Sequence, residues 1–97
     1  MNNSTEIETE SVTRVPLIAG NWKMNLLRDS SVALAHQLAD QLSPSTQVIV
    51  AVCPPSVYIH DVGAAIRGST IRLGGQNAYF AAEGAYTGEV SCAMLKD

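Results

Sequence analysis

Charge is scarce in this chain. Asp, Glu, Lys and Arg make up 15% of its 97 residues, against 46% hydrophobic. That balance excludes a solvated, disordered polymer and fits strands covered on both faces. Basic residues are outnumbered six to nine, for a net charge of -3, so no electropositive surface for nucleic acid is expected. There are two cysteines, Cys53 and Cys92. With nothing else in the chain suggesting secretion, reduced thiols in a cytoplasmic protein are expected rather than a disulfide. His36 and His60 stand apart from the cysteines and from each other, so no metal site is expected. No apolar run approaches the ~18 residues of a membrane span. Met1 to Ser11 is polar and acidic, without the basic start and apolar stretch of a secretory signal. Residues 1–14 therefore read as a flexible polar extension, and residues 15–97 as the folded part.

What the chain does have is three apolar runs alternating with amphipathic stretches. The first run, about Val15 to Asn21, reads as a strand with Pro16 near its start. Met24 to Leu27 follow as a loop, and Asp29, Ser30 or Ser31 is placed to cap a helix running to about Leu42. Leu34, Leu38 and Leu42, with Ala35 and Ala39, form its expected buried stripe. His36, Gln37, Asp40 and Gln41 lie on the other face, which makes His36 an exposed helix residue rather than a ligand. Ser43-Pro44-Ser45 ends that helix. Val48 to Val52 is apolar without alternation, as parallel strands buried on both faces are. Cys53-Pro54-Pro55 stops it. No Lys, Arg or His beside Cys53 would activate its thiol, so a small buried filler is expected.

A second helix is expected from about Ser56, itself a possible cap, to Arg67, burying Ile59, Val62 and Ile66 and closed by Gly68. His60 and Asp61 are adjacent, and neighbours in a helix do not face each other, so both read as surface. The third strand should run from Ile71 to about Asn77, thinned by Gly74 and Gly75 where a neighbour comes close. Those glycines sit inside a strand and begin no GxGxxG fingerprint, so no dinucleotide cofactor is implied. The segment 79–88 is a long loop carrying Tyr79, Phe80 and Tyr86, aromatics that call for a cover, either an interface or their own domain. Ser91 caps a last helix, Cys92 to Asp97. That helix stops in mid-pattern with no Gly or Pro to end it, as the first part of a longer protein would. Three strand–helix units in succession imply a parallel sheet. Three strands alone leave two open edges, so the isolated chain is expected to be unstable or sticky, or to be completed by other polypeptide.

Chemistry concentrates where the first strand turns polar. Gly20 admits close approach to the backbone. Asn21 and Lys23, two apart, would share a side if the chain stayed extended, and would there present an amide and an ammonium to an anion. The same spacing also describes an ordinary solvated strand end. Gln76 and Asn77 hold the equivalent place on strand three, facing a ligand or bonding to loop backbone.

The string Ala19-Gly-Asn-Trp-Lys-Met-Asn25 resembles the N-terminal signature of the triosephosphate isomerase family. Gly84-Ala-Tyr-Thr-Gly-Glu-Val-Ser91, followed by Ala93-Met-Leu-Lys-Asp97, resembles that family's third barrel loop and the helix after it. The resemblance covers about Pro16 to Asp97. It implies an α/β fold, the first three βα units of a (β/α)8 barrel whose full form takes ~250 residues, cut in the helix after strand three. It implies interconversion of dihydroxyacetone phosphate and glyceraldehyde 3-phosphate through an enediolate, with no cofactor and no metal. Lys23 then matches the lysine that stabilises negative charge, and Asn21 its substrate-binding neighbour. A lysine that keeps its proton at neutral pH is no general base. The family's base and electrophile, a glutamate and a histidine on later strands, have no counterpart here: His36, His60, Glu83 and Glu89 match neither.

The resemblance also implies a homodimer through the loop 79–88, with Thr87, Gly88 and Glu89 at its tip and Thr87 close to the partner's Asn21. Met24 and Gln76 match further interface positions. Where relatives commonly have proline after the capping serine, this chain has Cys92, a looser start to the helix. A short binding module without chemistry, or another α/β phosphate-binding enzyme, are the competing readings.

Overall fold

The structure, a computed structural model, describes residues 14–44 and 47–97. The extension read into residues 1–14 lies, but for Arg14, outside the described residues, as does Ser45. Three parallel strands form one sheet in the order β1-β2-β3: β1 Leu17–Asn21, β2 Ile49–Cys53 and β3 Arg72–Leu73. Helix α1, Arg28–Gln41, joins β1 to β2. A 3-10 turn, Ser56–Tyr58, runs into α2, Ile59–Ala65, which joins β2 to β3. Helix α3, Cys92–Lys96, follows the long loop.

The register pairs Leu17 with Ile49 and Asn21 with Cys53, so the C-terminal ends of β1 and β2 are level. Pairing begins just before β1, where the Ile49 N–H donates to the Pro16 carbonyl at 2.9 Å. The core is Ala35 of α1, Val52 of β2, Val62 and Ile66 of α2, and Ile71, with Trp22, Leu38, Ala39 and Tyr58 packed against it. Alternation puts Val52 on the helix-covered face and Ala51 and Cys53 on the other.

The start of α1 is fixed by Ser30, whose Oγ accepts the Leu27 N–H at 2.9 Å. The buried line of α1 is centred on Ser31 and Ala35, both fully buried. The expected Leu34-Leu38-Leu42 stripe is therefore rotated: Leu34 and Leu38 are half-buried, and Leu42, just past the helix, is 41% exposed. Arg28 joins α1 to α2, 3.2 Å from Asp61 and over the Tyr58 ring. Asp61 thus has a partner other than His60, which is exposed.

Val62 on α2 and Ile66 just past its end are buried, as the spacing predicts, while Ile59 is only half-buried. Ser56 makes no capping hydrogen bond; it lies inside the first turn, where the Tyr58 N–H donates to the Pro55 carbonyl at 3.0 Å. Gly68 ends the unit at φ 89, a conformation side chains rarely adopt. Strand β3 is much shorter than the expected Ile71–Asn77. Its ladder lasts from Arg72 to the Gly74 N–H, which donates to Val52 at 2.9 Å. Nothing among the described residues pairs with its far edge, and beyond Gly74 the backbone turns toward α3. A Cβ on Gly75 would stand 2.9 Å from Leu95 Cδ1, so the glycine is what lets the two segments touch.

Candidate functional site

The site lies where the three strands end. Asn21 is the last residue of β1, and the extended conformation stops there: Lys23 has φ 57. Strict alternation therefore does not relate Asn21 to Lys23. A hydrogen bond does, from the Lys23 N–H to Asn21 Oδ1 at 2.8 Å. That bond uses the acceptor end of the Asn21 amide, and what remains is its pair of N–H donors. The Lys23 carbonyl is held from the opposite side of the sheet. Gln76 Nε2 donates to it at 2.9 Å and to the Cys53 carbonyl at 2.8 Å. An amide side chain thus grips each polar group of the Lys23 backbone.

The next residues are fastened in the same way. The Trp22 N–H donates to the Cys53 carbonyl at 3.1 Å, and Asn25 Nδ2 to the Trp22 carbonyl at 2.7 Å. The Trp22 ring is half-buried against the core. The result is a rigid turn with the Lys23 side chain exposed and, among the described residues, without an ionic partner. A non-glycine residue in a sparsely populated backbone region costs roughly 1–3 kcal/mol and persists only when its surroundings hold it there. An exposed ammonium without a paired carboxylate, on a turn whose backbone is held by hydrogen bonds, is suited to an anion.

Gly20 is not needed for clearance within these residues, since a Cβ there would meet only Trp22 Nε1 at 3.8 Å and the Ala51 carbonyl at 4.0 Å. Cys53 is half-buried, short of the buried filler expected, its Sγ 3.1 Å from where a Gly74 Cβ would be. Gln76, given alternative roles by its position, bonds to loop backbone. Asn77 Nδ2 reaches Glu89 Oε1 at 3.4 Å, tying the base of the long loop to its far side.

In the loop, Tyr79 stacks on Phe80 and Tyr86 with ring centroids 4.6 and 4.4 Å away. The Tyr79 N–H donates to the Val90 carbonyl at 2.8 Å. The aromatics thus cover one another in part, while Phe80 stays 86% exposed. Thr87, Gly88 and Glu89 are exposed at the tip, and Met24, in the other turn, is 95% exposed. Among the described residues no hydrogen bond or ion pair joins Thr87, Gly88 or Glu89 to Asn21 or Lys23. Ser91 caps α3, its Oγ accepting the Met94 N–H at 3.1 Å.

The amide bridge of Gln76 was not readable from the sequence, because it spans 53 residues to Lys23. The one available signal was an amide residue directly after the glycine pair that brings β3 close. Among the described residues no cluster of His, Cys, Asp and Glu could hold a metal, and no helix is long and apolar enough to cross a membrane.

Parallel strands in sequential order, helices in the connections and polar side chains at the strands' C-terminal ends define a segment of a βα-barrel protein. The chain belongs to the triosephosphate isomerase family, whose model matches residues 16–97. It is 48% identical to the triosephosphate isomerase of Rhodopirellula baltica over 86 residues, 89% of this chain and 34% of that protein. Triosephosphate isomerases of Carboxydothermus hydrogenoformans and Alkaliphilus oremlandii are 49% and 44% identical over 84 residues, 87% of this chain and 34% of each relative. The chain thus spans about a third of the length of these relatives.

Proposed function

We propose that these residues serve the interconversion of dihydroxyacetone phosphate and D-glyceraldehyde 3-phosphate in glycolysis and gluconeogenesis, as the Lys/Asn-bearing third of a cytoplasmic, homodimeric isomerase. In that reaction a proton leaves one carbon of the triose and returns to its neighbour, and negative charge collects on the enediolate oxygen between the two steps. Lys23 supplies the opposing charge, toward that oxygen and the substrate phosphate. Asn21 donates from its amide N–H to the same region. The proton-moving glutamate and histidine come from barrel strands beyond those described. Met24, Gln76, Thr87, Gly88 and Glu89 contribute to the face that meets the second subunit, the loop 79–88 carrying Thr87 toward the partner's Asn21.

The observation that carries the reading is the exposed, unneutralised Lys23 ammonium on a residue whose backbone N–H and carbonyl are both hydrogen-bonded. At about 4 Å and an effective dielectric constant near 20, one unit charge stabilises another by ~4 kcal/mol, which corresponds to ~10³-fold in rate. The test is a complete barrel in which residues 16–97 replace the matching third of the Rhodopirellula baltica enzyme. That chimera should isomerise triose phosphates, and Lys23→Met should lower its kcat/KM by roughly 10²–10³-fold with the circular-dichroism spectrum unchanged. A Lys23→Met chimera with full activity would remove the lysine from the chemistry.

A further inference from the structure

We infer that Gln76 is a positioning residue for Lys23: its side-chain amide sets the lysine's backbone, and so where the ammonium stands, from across the sheet. The inference rests on the role proposed for Lys23. It goes beyond the place on the dimer face that Gln76 takes by resemblance.

Lys23 leaves extended geometry with φ 57, as Leu26 does further along the connection with φ 77. A lysine has no intrinsic preference for that region, so something outside it must select it. Two groups touch its backbone. Asn21 Oδ1 takes the N–H, but Asn21 lies two residues away and moves with the turn. Gln76 reaches in from the end of β3, and its Nε2 donates at once to the Lys23 carbonyl, 2.9 Å, and the Cys53 carbonyl, 2.8 Å. Cys53 is the last residue of β2 and pairs with Asn21 in the sheet. The amide therefore references the lysine to the frame of β2 and β3, not merely to its own loop. Both of its N–H groups are used, which an alcohol, a carboxylate or an apolar side chain at this position could not reproduce. Gly74 N–H on Val52 and the close approach of Gly75 to Leu95 hold the backbone from which Gln76 projects.

Without Gln76 the Lys23 carbonyl loses its donor, the Cys53 carbonyl keeps only the Trp22 N–H, and the turn is free to relax toward ordinary backbone angles. The ammonium stays charged but is displaced, and a misplacement of about 1 Å at a reacting centre lowers rates by up to ~10²-fold.

The experiment is a double-mutant cycle in the chimeric barrel. Gln76→Met keeps the length of the side chain and removes its donors. It should lower kcat between about tenfold and 10²-fold, with the secondary structure retained and the loss unchanged when protein concentration is raised. In the Lys23→Met background the same substitution should cost nothing further, because the group it positions is gone. Equal losses in both backgrounds, full activity of Gln76→Met, or a loss that disappears at high protein concentration would each overturn the inference, the last by assigning Gln76 to dimer cohesion alone. Should Gln76→Met not fold, Gln76→Asn, too short to bridge both carbonyls, carries the same comparison. Failure of the underlying reading shows separately, as Lys23→Met alone being fully active.

Discussion

Ser31, on α1, is fully buried, and its hydroxyl finds no hydrogen-bond partner among the described residues. A buried hydroxyl without a partner carries a desolvation penalty of about 1–3 kcal/mol, and alanine is also the better helix former. Ser31→Ala in the chimeric barrel should therefore raise stability by about 1 kcal/mol, read as a higher urea midpoint with an unchanged slope. A lowered midpoint would mean that the hydroxyl has a partner in the complete barrel. The sequence offered Asp29, Ser30 and Ser31 as candidate caps, but the capping position is Leu27, and Ser30, inside the first turn, reaches back to accept the Leu27 N–H. Neighbouring serines look alike until the angle of the helix on its partner decides which is buried. Lys23 and Asn21 were legible as a polar pair at a strand end, yet the reason for their association was not. Their link is a side-chain acceptor on a backbone N–H at a positive-φ turn, where period-two spacing no longer applies.

At the scale of elements, the existence and order of three strands and three helices followed from apolar runs and their breakers, while boundaries shifted wherever a neighbour was involved. The second strand moved on to Cys53 because its ladder follows β1 to Asn21 and the prolines begin only at Pro54. Strand β3 shrank because half of its pairing lies at an edge with no partner among the described residues. Helix α3 was legible at its start because its cap is local in sequence. Ser91 Oγ accepts the Met94 N–H, and Ser91 is itself buried. With Cys92 rather than proline at the first helical position, that serine is what sets the first turn. Ser91→Ala should destabilise the chimeric barrel by about 1 kcal/mol, within the ~0.5–2 kcal/mol of such caps. Adding Cys92→Pro, which pre-sets the backbone of that turn, should recover part of the loss in the same urea titration. No recovery would mean that the helix start is fixed by Leu95 against Gly75 instead.

Across the whole molecule, apolar surface is left where a closed barrel would have none. Every residue of β1 is exposed, Leu17 by 63% and Ile18 by 59%, although both belong to a strand whose composition suits burial. On the other side a groove of about 640 Å³ opens beside β3, its floor of Ile59, Leu73, Met94 and Leu95 shared with the polar His60, Arg67, Lys96 and Asp97. Among the described residues nothing pairs with either edge of the sheet, and an open edge is a ready template for pairing with another chain. Among the described residues the buried core is small, five hydrophobic side chains of which the largest are isoleucines, and domains of this size hold little stability in reserve. The 97-residue chain taken by itself should therefore self-associate, with a sedimentation coefficient that rises with concentration, and should bind a fluorescent apolar dye. It should show no triose-phosphate turnover above the uncatalysed rate, since the groups that move the proton, worth ~10²–10⁴-fold, are absent from the described residues. Mixing it with the remaining two-thirds of the Rhodopirellula baltica enzyme should suppress the dye signal and bring activity up together, because the same surfaces that aggregate are those the other strands cover. Turnover by the chain alone, as a monomer without dye binding, would show instead that three βα units suffice for both the fold and the chemistry.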